Sequence, residues 1–487
     1  MGMACKKRIH ASCHQKPDWN SINWKKVGAK VKKLQMRIAK AVRERRYRLA
    51  KSLQWLLTHS FYAKLFAIKR VVTNKGRCTP GVDGELWNTP QKKMRAVELL
   101  NRRGYKPLPL RRVYIRKKNG TLRPLGIPTM RDRAMQALYA LALAPVAETT
   151  GDLNSYGFRE YRSCADAIEQ CFVCLGRRNS ARWVLEADIQ ACFDRISHEW
   201  IQHNILMDRK ILQAWLEAGY VEKGKLYPTK GGTPQGGIIS PVLANMTLDG
   251  LESAIKRSVP KGSKVNVIRY ADDFVVTGES KEILQEKVLP AIQEFLAQRG
   301  LNLSGEKTKI TRIDDGFDFL GQHLRKYGDK CIVTPSKGAV KALLTKTGRI
   351  IKNHSDYMTW KLIEKLNPVI RGWANYHRHI CAKKTFSYVD NCIFGQIWKW
   401  AVRKHCSKSK EWIRKRYFRS IDSRNWSFFA TQKTDSGIME VKDLFHATTT
   451  KIVRHVKIRS MTNPYEKDWL EYFTTRKVLR YSYTVSA

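Results

Sequence analysis

Arg269-Tyr270-Ala271-Asp272-Asp273-Phe274-Val275-Val276 sets two adjacent carboxylates between two apolar, β-like runs, Val265 to Tyr270 and Phe274 to Thr277. Like charges this close raise one pKa unless a cation lies between them. Side chains alternate along a strand, so one aspartate is expected to face a site more directly than its neighbour. A third carboxylate, Asp188, ends a separate apolar stretch, Arg182-Trp183-Val184-Leu185-Glu186-Ala187-Asp188. Three carboxylates drawn from two strand ends suit a pair of Mg²⁺ ions, which take oxygen ligands and retain water. Two such ions about 3.5–4 Å apart stabilise the entering and leaving oxygens of an in-line displacement, such as the 3′-oxygen and pyrophosphate of nucleotidyl transfer. The competing reading is an Asp-rich turn on a surface hairpin; Tyr270, the flanking strands and Asp188 weigh against it.

The charge of the whole chain fits a polyanionic partner. Its 487 residues carry 91 Lys and Arg against 42 Asp and Glu, a net charge of +49. Such a surplus repels itself unless a polyanion offsets it, and nucleic acid does so with release of condensed counterions. Hydrophobic residues make up 43%, which excludes wholesale disorder. The longest apolar run, Ala137 to Ala147, is too short to span a bilayer. The 11 cysteines include a single CxxC, Cys171 to Cys174, without the second pair that a zinc site needs. They read as thiols in a reducing compartment, a bacterial cytoplasm or else an organelle. The opening MGMACKKRIHASCHQK lacks the apolar core of a secretory signal.

Residues 1–75 carry 20 Lys and Arg against only Asp18 and Glu44. Val27, Val31, Leu34, Ile38 and Val42 recur at helical spacing, and Lys30, Lys33, Arg37 and Lys40 turn outward as an RNA-contacting or merely solvated face. Further on, the alternating Arg112-Val113-Tyr114-Ile115 leads through Asn119-Gly120, a strong hairpin turn, to Thr121-Leu122-Arg123-Pro124-Leu125, giving a basic two-stranded ribbon. Helix signals cover Asp132 to Ala147 and Ala165 to Leu175, and another helix starts near Ser197. Thr233-Pro234-Gln235-Gly236-Gly237 makes a tight bend. Behind it Ser240-Pro241 reads as N-cap and first helical position for a run to Leu251. From about 335 the chain is expected to be helical, aromatic and basic, with 31 Lys and Arg against 11 acids.

Together these motifs resemble the reverse transcriptase and maturase proteins encoded by mobile group II introns, from about Trp19 to Arg480. The Tyr-Ala-Asp-Asp box matches Tyr270 to Asp273. The other metal-binding box matches Ala187-Asp188-Ile189 through Phe193-Asp194, and the glycine-rich box matches Gly232 to Gly237 with Ser240-Pro241. The fingers ribbon matches Val113 to Pro128. Two later palm boxes match Leu301 to Lys307 and Phe317 to Gly321, and the thumb signature matches Arg371-Gly372-Trp373-Ala374-Asn375-Tyr376. The resemblance implies roles that composition does not. Asp188, Asp272 and Asp273 are the implied catalytic metal ligands. Phe193 is the plate beneath the incoming sugar, clashing with a 2′-hydroxyl. Gln235 contacts the incoming nucleotide, and Lys117 and Arg123 hold its triphosphate as point charge and fork, with Lys307 assisting. Arg371, Arg378, Arg414, Lys415 and Arg416 are candidates for RNA phosphate contact, positioning RNA without reading its sequence. Trp373 shares a helical face with Ile370 and His377 and reads as core.

The expected fold is therefore an α+β right-handed polymerase with a helical thumb. Its expected parts are a basic helical extension (1–75), fingers and palm (76–330), a thumb or maturase domain (335–435) and a basic DNA-binding segment (436–487, chiefly Lys442 to Arg480). The expected function is RNA-directed DNA synthesis with two Mg²⁺ ions, together with splicing and mobility of the parent intron. The partners would be intron RNA, target DNA and deoxynucleoside triphosphates, with no membrane. Many members continue into a nuclease rich in His and Asn; no such constellation follows here, so second-strand cleavage is not expected. The rival functions are a splicing cofactor with an inactive polymerase and a reverse transcriptase recruited to another task.

Overall fold

The amphipathic N-terminal run forms α1 (Trp24–Arg43), capped by the Asn23 side chain on the Lys26 amide. Its buried face is Val27, Val31, Gln35, Ile38 and Val42. Leu34 is only half-buried, because Gln35 turns inward and donates to the Leu141 carbonyl at 2.8 Å. The computed structural model describes residues 18–116, 120–229, 231–353, 358–421, 424–433 and 438–476. With α2 (Tyr47–His59) and α3 (Phe61–Thr73), α1 packs on α5 (Met130–Thr150), the most buried helix of the chain. Between them lie α4 (Pro90–Leu99) and the ribbon of β1 (Leu110–Arg116) and β2 (Leu122–Ile127), antiparallel with Arg116 opposite Leu122. The apex of the ribbon, including Lys117 and Asn119, lies outside the described residues.

The palm follows in α6 (Cys164–Leu175), β3 (Trp183–Asp188), α7 (Cys192–Arg195), α8 (His198–Asn204) and α9 (Arg209–Glu217). Short strands β4 (Tyr220–Glu222) and β5 (Lys225–Tyr227) extend the ribbon into a sheet of order β2-β1-β4-β5. The helix expected to run from Ser240 to Leu251 is two, α10 (Ser240–Leu248) and α11 (Leu251–Ser258), broken where Gly250 takes a φ of 94°. Ser240 is the first helical residue and not the cap, since its hydroxyl donates to the Pro234 carbonyl at 2.8 Å and ties the helix to the preceding bend. Then come β6 (Asn266–Tyr270), β7 (Asp273–Gly278), a π-helical stretch (Ile283–Val288), α12 (Leu289–Ala297) and β8 (Lys309–Arg312). The central palm sheet has the order β6-β7-β3-β8, antiparallel throughout.

A small antiparallel sheet of β9 (Phe317–Phe319), β10 (Gln322–Tyr327) and β11 (Lys330–Pro335) leads to the thumb helices. These are α13 (Lys337–Lys352), α14 (Thr359–His377), α15 (Lys383–Lys404) and α16 (Lys410–Tyr417). The all-helical expectation for this region fails beyond α16. Strands β12 (Phe418–Ile421), β13 (Arg424–Lys433) and β14 (Met439–Asp443) form an antiparallel sheet there. Phe428 packs against Trp400, Tyr417 and Phe418, a use of aromatic density that suits a pleated surface as well as a helix. After the sheet the chain passes through two 3-10 turns (Ala447–Thr449 and Lys467–Trp469) and a helical stretch over 470–476, and is bound to the palm. Asp166, fully buried, accepts from His455 Nε2 (2.9 Å), the Ile458 amide (2.8 Å) and Arg476 (2.6 Å). The basic segment is thus divided. Arg476 is buried in this network and Lys442 pairs with Glu364 at 2.8 Å, while Lys451, Arg454 and Arg459 are exposed. No helix among the described residues is long and apolar enough to cross a membrane.

Candidate active site

β3 and β7 pair in a register that sets Asp188 directly opposite Asp273, and β6 and β7 pair so that Tyr270 also faces Asp273. Ala271 and Asp272 close that hairpin, with Ala271 in the left-handed region at φ 60°. Asp272 therefore lies in a turn rather than on a strand, the alternation of side chains is interrupted, and both aspartates line one cavity.

The hairpin is braced from behind. Residues 154–157 run along the free edge of β6, with the Arg269 amide donating to Asn154 and the Tyr156 amide to Arg269, each at 2.9 Å. Gly157 lies so close to the turn that a Cβ there would sit 2.4 Å from the Ala271 nitrogen. Its carbonyl accepts from Asn245 Nδ2 at 2.7 Å, and Asn245 Oδ1 accepts in turn from Arg269 at 3.2 Å. The Arg269 guanidinium, 1% exposed, also donates to Asp249 at 2.5 Å. Burial pushes the Asp249 carboxyl up to about 6, against the pull of Arg269.

The cavity in front of the hairpin measures about 750 Å³ and gathers Asp188, Asp272, Asp273, Phe193, Gln235, Arg123 and Lys307. These residues come from five separate stretches of chain. Phe193 is in α7, which follows the left-handed Ala191. The glycine-rich bend closes on it: Thr233 donates to the Phe193 carbonyl at 2.6 Å, and Gly232, at φ 79°, leaves no room for a Cβ against the same oxygen. Gln235 joins the bend to the ribbon, its carbonyl accepting from the Gly126 amide at 2.7 Å, and its side chain donates to Asp194 at 3.2 Å. Arg123 is exposed on β2. Lys307 Nζ reaches Asp188 Oδ2 at 2.6 Å. Two further residues belong to this wall. Asp194 stood within the quoted motif, but nothing in its spacing assigned it a partner. Phe158, edge-on to Phe193 with ring centres 6.3 Å apart, carried no signal in the sequence at all.

Burial dominates the electrostatics of the site. Burial first, then the charge of Asp272 and a hydrogen bond that protonated Asp273 donates to Asp188, push Asp273 up to about 7. Burial and Asp188 raise Asp272 too, against Arg123 and Lys307. The bond to Asp188 raises Lys307, and burial beside these carboxylates pushes the Cys192 thiol up to about 12. Among the described residues no set of three or more His, Cys, Asp or Glu side chains is gathered tightly enough to hold a metal ion as it stands. The donor set nonetheless fits divalent cations, since three carboxylates line one cavity and the charge of Asp188 helps raise Asp272 and Asp273, a repulsion that a cation relieves.

The RNA-contact candidates are dispersed. Lys30, Lys33, Arg37 and Lys40 are all exposed on α1, Lys40 within 3.8 Å of Glu44. On α14 Arg371 is exposed with its guanidinium over the Phe445 ring. Arg378, half-buried at the end of that helix, lines a second cavity of about 620 Å³ with Tyr270, Tyr376 and Arg454. Arg414, Lys415 and Arg416 are exposed on α16, Lys415 paired with Glu411 at 3.1 Å. Trp373 is half-buried and packs against Phe386 and His377 at the margin of the core.

Family comparisons agree with this geometry. Residues 115–324 match the model of the reverse transcriptase (RNA-dependent DNA polymerase), residues 19–100 that of the N-terminal domain of reverse transcriptase, and residues 340–418 that of the group II intron maturase-specific domain. The chain is 33% identical to protein YkfC of Escherichia coli, over 55% of this chain and 82% of that protein. It is 30% identical to the group II intron-encoded protein LtrA of Lactococcus lactis, over 53% of this chain and 54% of that protein, so the match spans about half of LtrA. Among solved structures, telomerase from Candida albicans aligns over 64% of this chain and 65% of its own at 12% identity and a TM-score of 0.37. Matched in sequence through fingers, palm and thumb, the chain belongs to the reverse transcriptase and maturase family encoded by group II introns.

Proposed function

We propose that this protein is an RNA-directed DNA polymerase that also binds the RNA of a parent group II intron and promotes its splicing and mobility. The observation that carries the reading is the meeting of Asp188, Asp272 and Asp273 with Phe193, Gln235, Arg123 and Lys307 in one cavity. Asp188, Asp272 and Asp273 would hold two Mg²⁺ ions, which when bound stabilise the charge on the entering 3′-oxygen and the departing pyrophosphate. The remaining residues bind and orient. Arg123 grips the triphosphate as a planar fork and Lys307 adds a point charge at Asp188. Lys117, outside the described residues, is the proposed second cation of the ribbon. Gln235, held by the bend and by Asp194, meets the incoming nucleotide. Phe193, backed by Phe158, fills the space that a 2′-hydroxyl would need.

The exposed cations of α1, α14 and α16, Lys30, Lys33, Arg37, Lys40, Arg371, Arg414, Lys415 and Arg416, together with the half-buried Arg378 at the end of α14, carry the proposed intron RNA contacts. Folded RNA is recognised by shape and by unpaired loops, because the A-form major groove is closed to side chains. Target DNA is the proposed partner of the exposed Lys451, Arg454 and Arg459. The bacterial relatives support a bacterial cytoplasm as the compartment. The purified protein should extend a DNA primer annealed to an RNA template with deoxynucleotides and Mg²⁺, and stop when EDTA is added. Absence of any extension under these conditions would overturn the reading.

A further inference from the structure

Tryptophan is among the most buried side chains on average, yet Trp55 on α2 is 58% exposed. Its indole is not loose: His59, one turn on, stacks on it at 4.1 Å between ring centres and 24° between planes, and the His59 Nδ1 lies 2.8 Å from the Trp55 carbonyl. The same ring lines a cavity of about 380 Å³ between α2 and the segment joining α8 to α9, together with Lys51, His203, Asn204 and Arg209. Along α2, Arg48, Lys51, Ser52, Trp55 and His59 make one exposed stripe. The neighbouring acids are already spent: Asp208 is bonded to Arg102 and caps α9, and Glu44 lies against Lys40 and Arg46.

We infer that this site binds an unpaired nucleobase of a single-stranded RNA segment, stacked on Trp55, with the flanking phosphates met by Lys51 and Arg48. It is a second RNA contact, apart from the α1 cations, and it rests on the RNA-binding reading above. A π-face that every base can use, beside cations that meet phosphate, is how single strands are held. A ring already fixed by His59 loses little freedom when a base is added. A protein partner fits less well, because protein interfaces are depleted in lysine, and here Lys51 lines the same cavity as the ring.

The test uses the full chain with its polymerase cleft filled by excess annealed RNA–DNA duplex, and a 20-nucleotide single-stranded RNA carrying 4-thiouridine as probe. Irradiation should crosslink the probe to the tryptic peptide from Ser52 to Lys64. Trp55→Ala should weaken probe binding by about 5- to 150-fold, the range for losing one stacked base, and Trp55→Phe should lose less. The slope of log affinity against log salt should stay unchanged in Trp55→Ala and fall by about 0.7 in Lys51→Ala. Primer extension by Trp55→Ala should equal wild type, which separates this site from the polymerase. Wild-type affinity in Trp55→Ala, or a changed sedimentation of the RNA-free protein with affinity intact, overturns the inference. Failure of the wild-type protein to bind single-stranded RNA overturns the broader RNA reading instead.

Discussion

Gly157 has no catalytic group, yet its replacement should cripple polymerisation. A Cβ added there would meet the Ala271 nitrogen at 2.4 Å, the Tyr270 carbonyl carbon at 3.0 Å and the Ala271 Cα at 3.1 Å. All three are backbone atoms, so no side chain can rotate aside. Ordinary contact starts at 3.4 Å, so the turn carrying Asp272 must retreat by about 1.0 Å (3.4 − 2.4). Misplacing a reacting group by about 1 Å costs on the order of 10²-fold in rate, while overpacking costs about 1–3 kcal/mol of stability. Single-turnover addition of one deoxynucleotide at saturating substrate should therefore slow about 100-fold in Gly157→Ala, with affinity for intron RNA kept. Gly372→Ala, where a Cβ meets nothing within 4 Å, is the control and should leave both unchanged. A wild-type rate in Gly157→Ala, with its melting temperature unmoved, would refute the close packing behind the turn.

Three further outcomes follow from the same geometry. Phe193→Ala should raise the efficiency of ribonucleotide relative to deoxynucleotide incorporation; an unchanged ratio would make Phe193 merely part of the wall. Arg269→Met strands the buried Asp249 and should cost about 3–5 kcal/mol in urea unfolding at pH 7, with most of it restored by adding Asp249→Asn; purely additive losses would deny the pairing. Burial depresses His377 to about 4, from an ordinary 6.5. A depressed group contributes stability that is complete above pH 6.5 and lost as pH falls toward 4, because the unfolded chain takes up the proton first. The loss should reach about 3 kcal/mol, with His379, likewise held near 4, adding in the same direction. His377→Gln should flatten this loss, and an unaltered pH profile would show that His377 does not drive it.

The motifs that pointed to chemistry were legible because each is short and locally determined. Asp188 ends one strand and Asp272-Asp273 stand between two others, all with apolar runs that announce themselves, and sheet register then brings them together. What the residues alone concealed depends on distant packing. Gly157 braces the hairpin from one stretch and Asn245 and Asp249 from another, and no spacing links the two. Leu34 and Gln35 exchanged places because a carbonyl of α5 needed a donor. The strands after Tyr417 were read as helix because an aromatic, basic segment lacks clear periodicity of either kind. Phe158 reaches the site only because the 154–157 segment follows the edge of β6.

The central claim, that one carboxylate cluster serves DNA synthesis while separate basic surfaces hold RNA, is tested most directly by Asp272→Asn and Asp273→Asn. Primer extension on an RNA template and splicing of the parent intron should be measured on the same preparations. The account predicts that extension falls to background in both variants while intron binding and splicing stay close to wild type. Extension that survives both substitutions, or equal loss of extension and splicing, would contradict it.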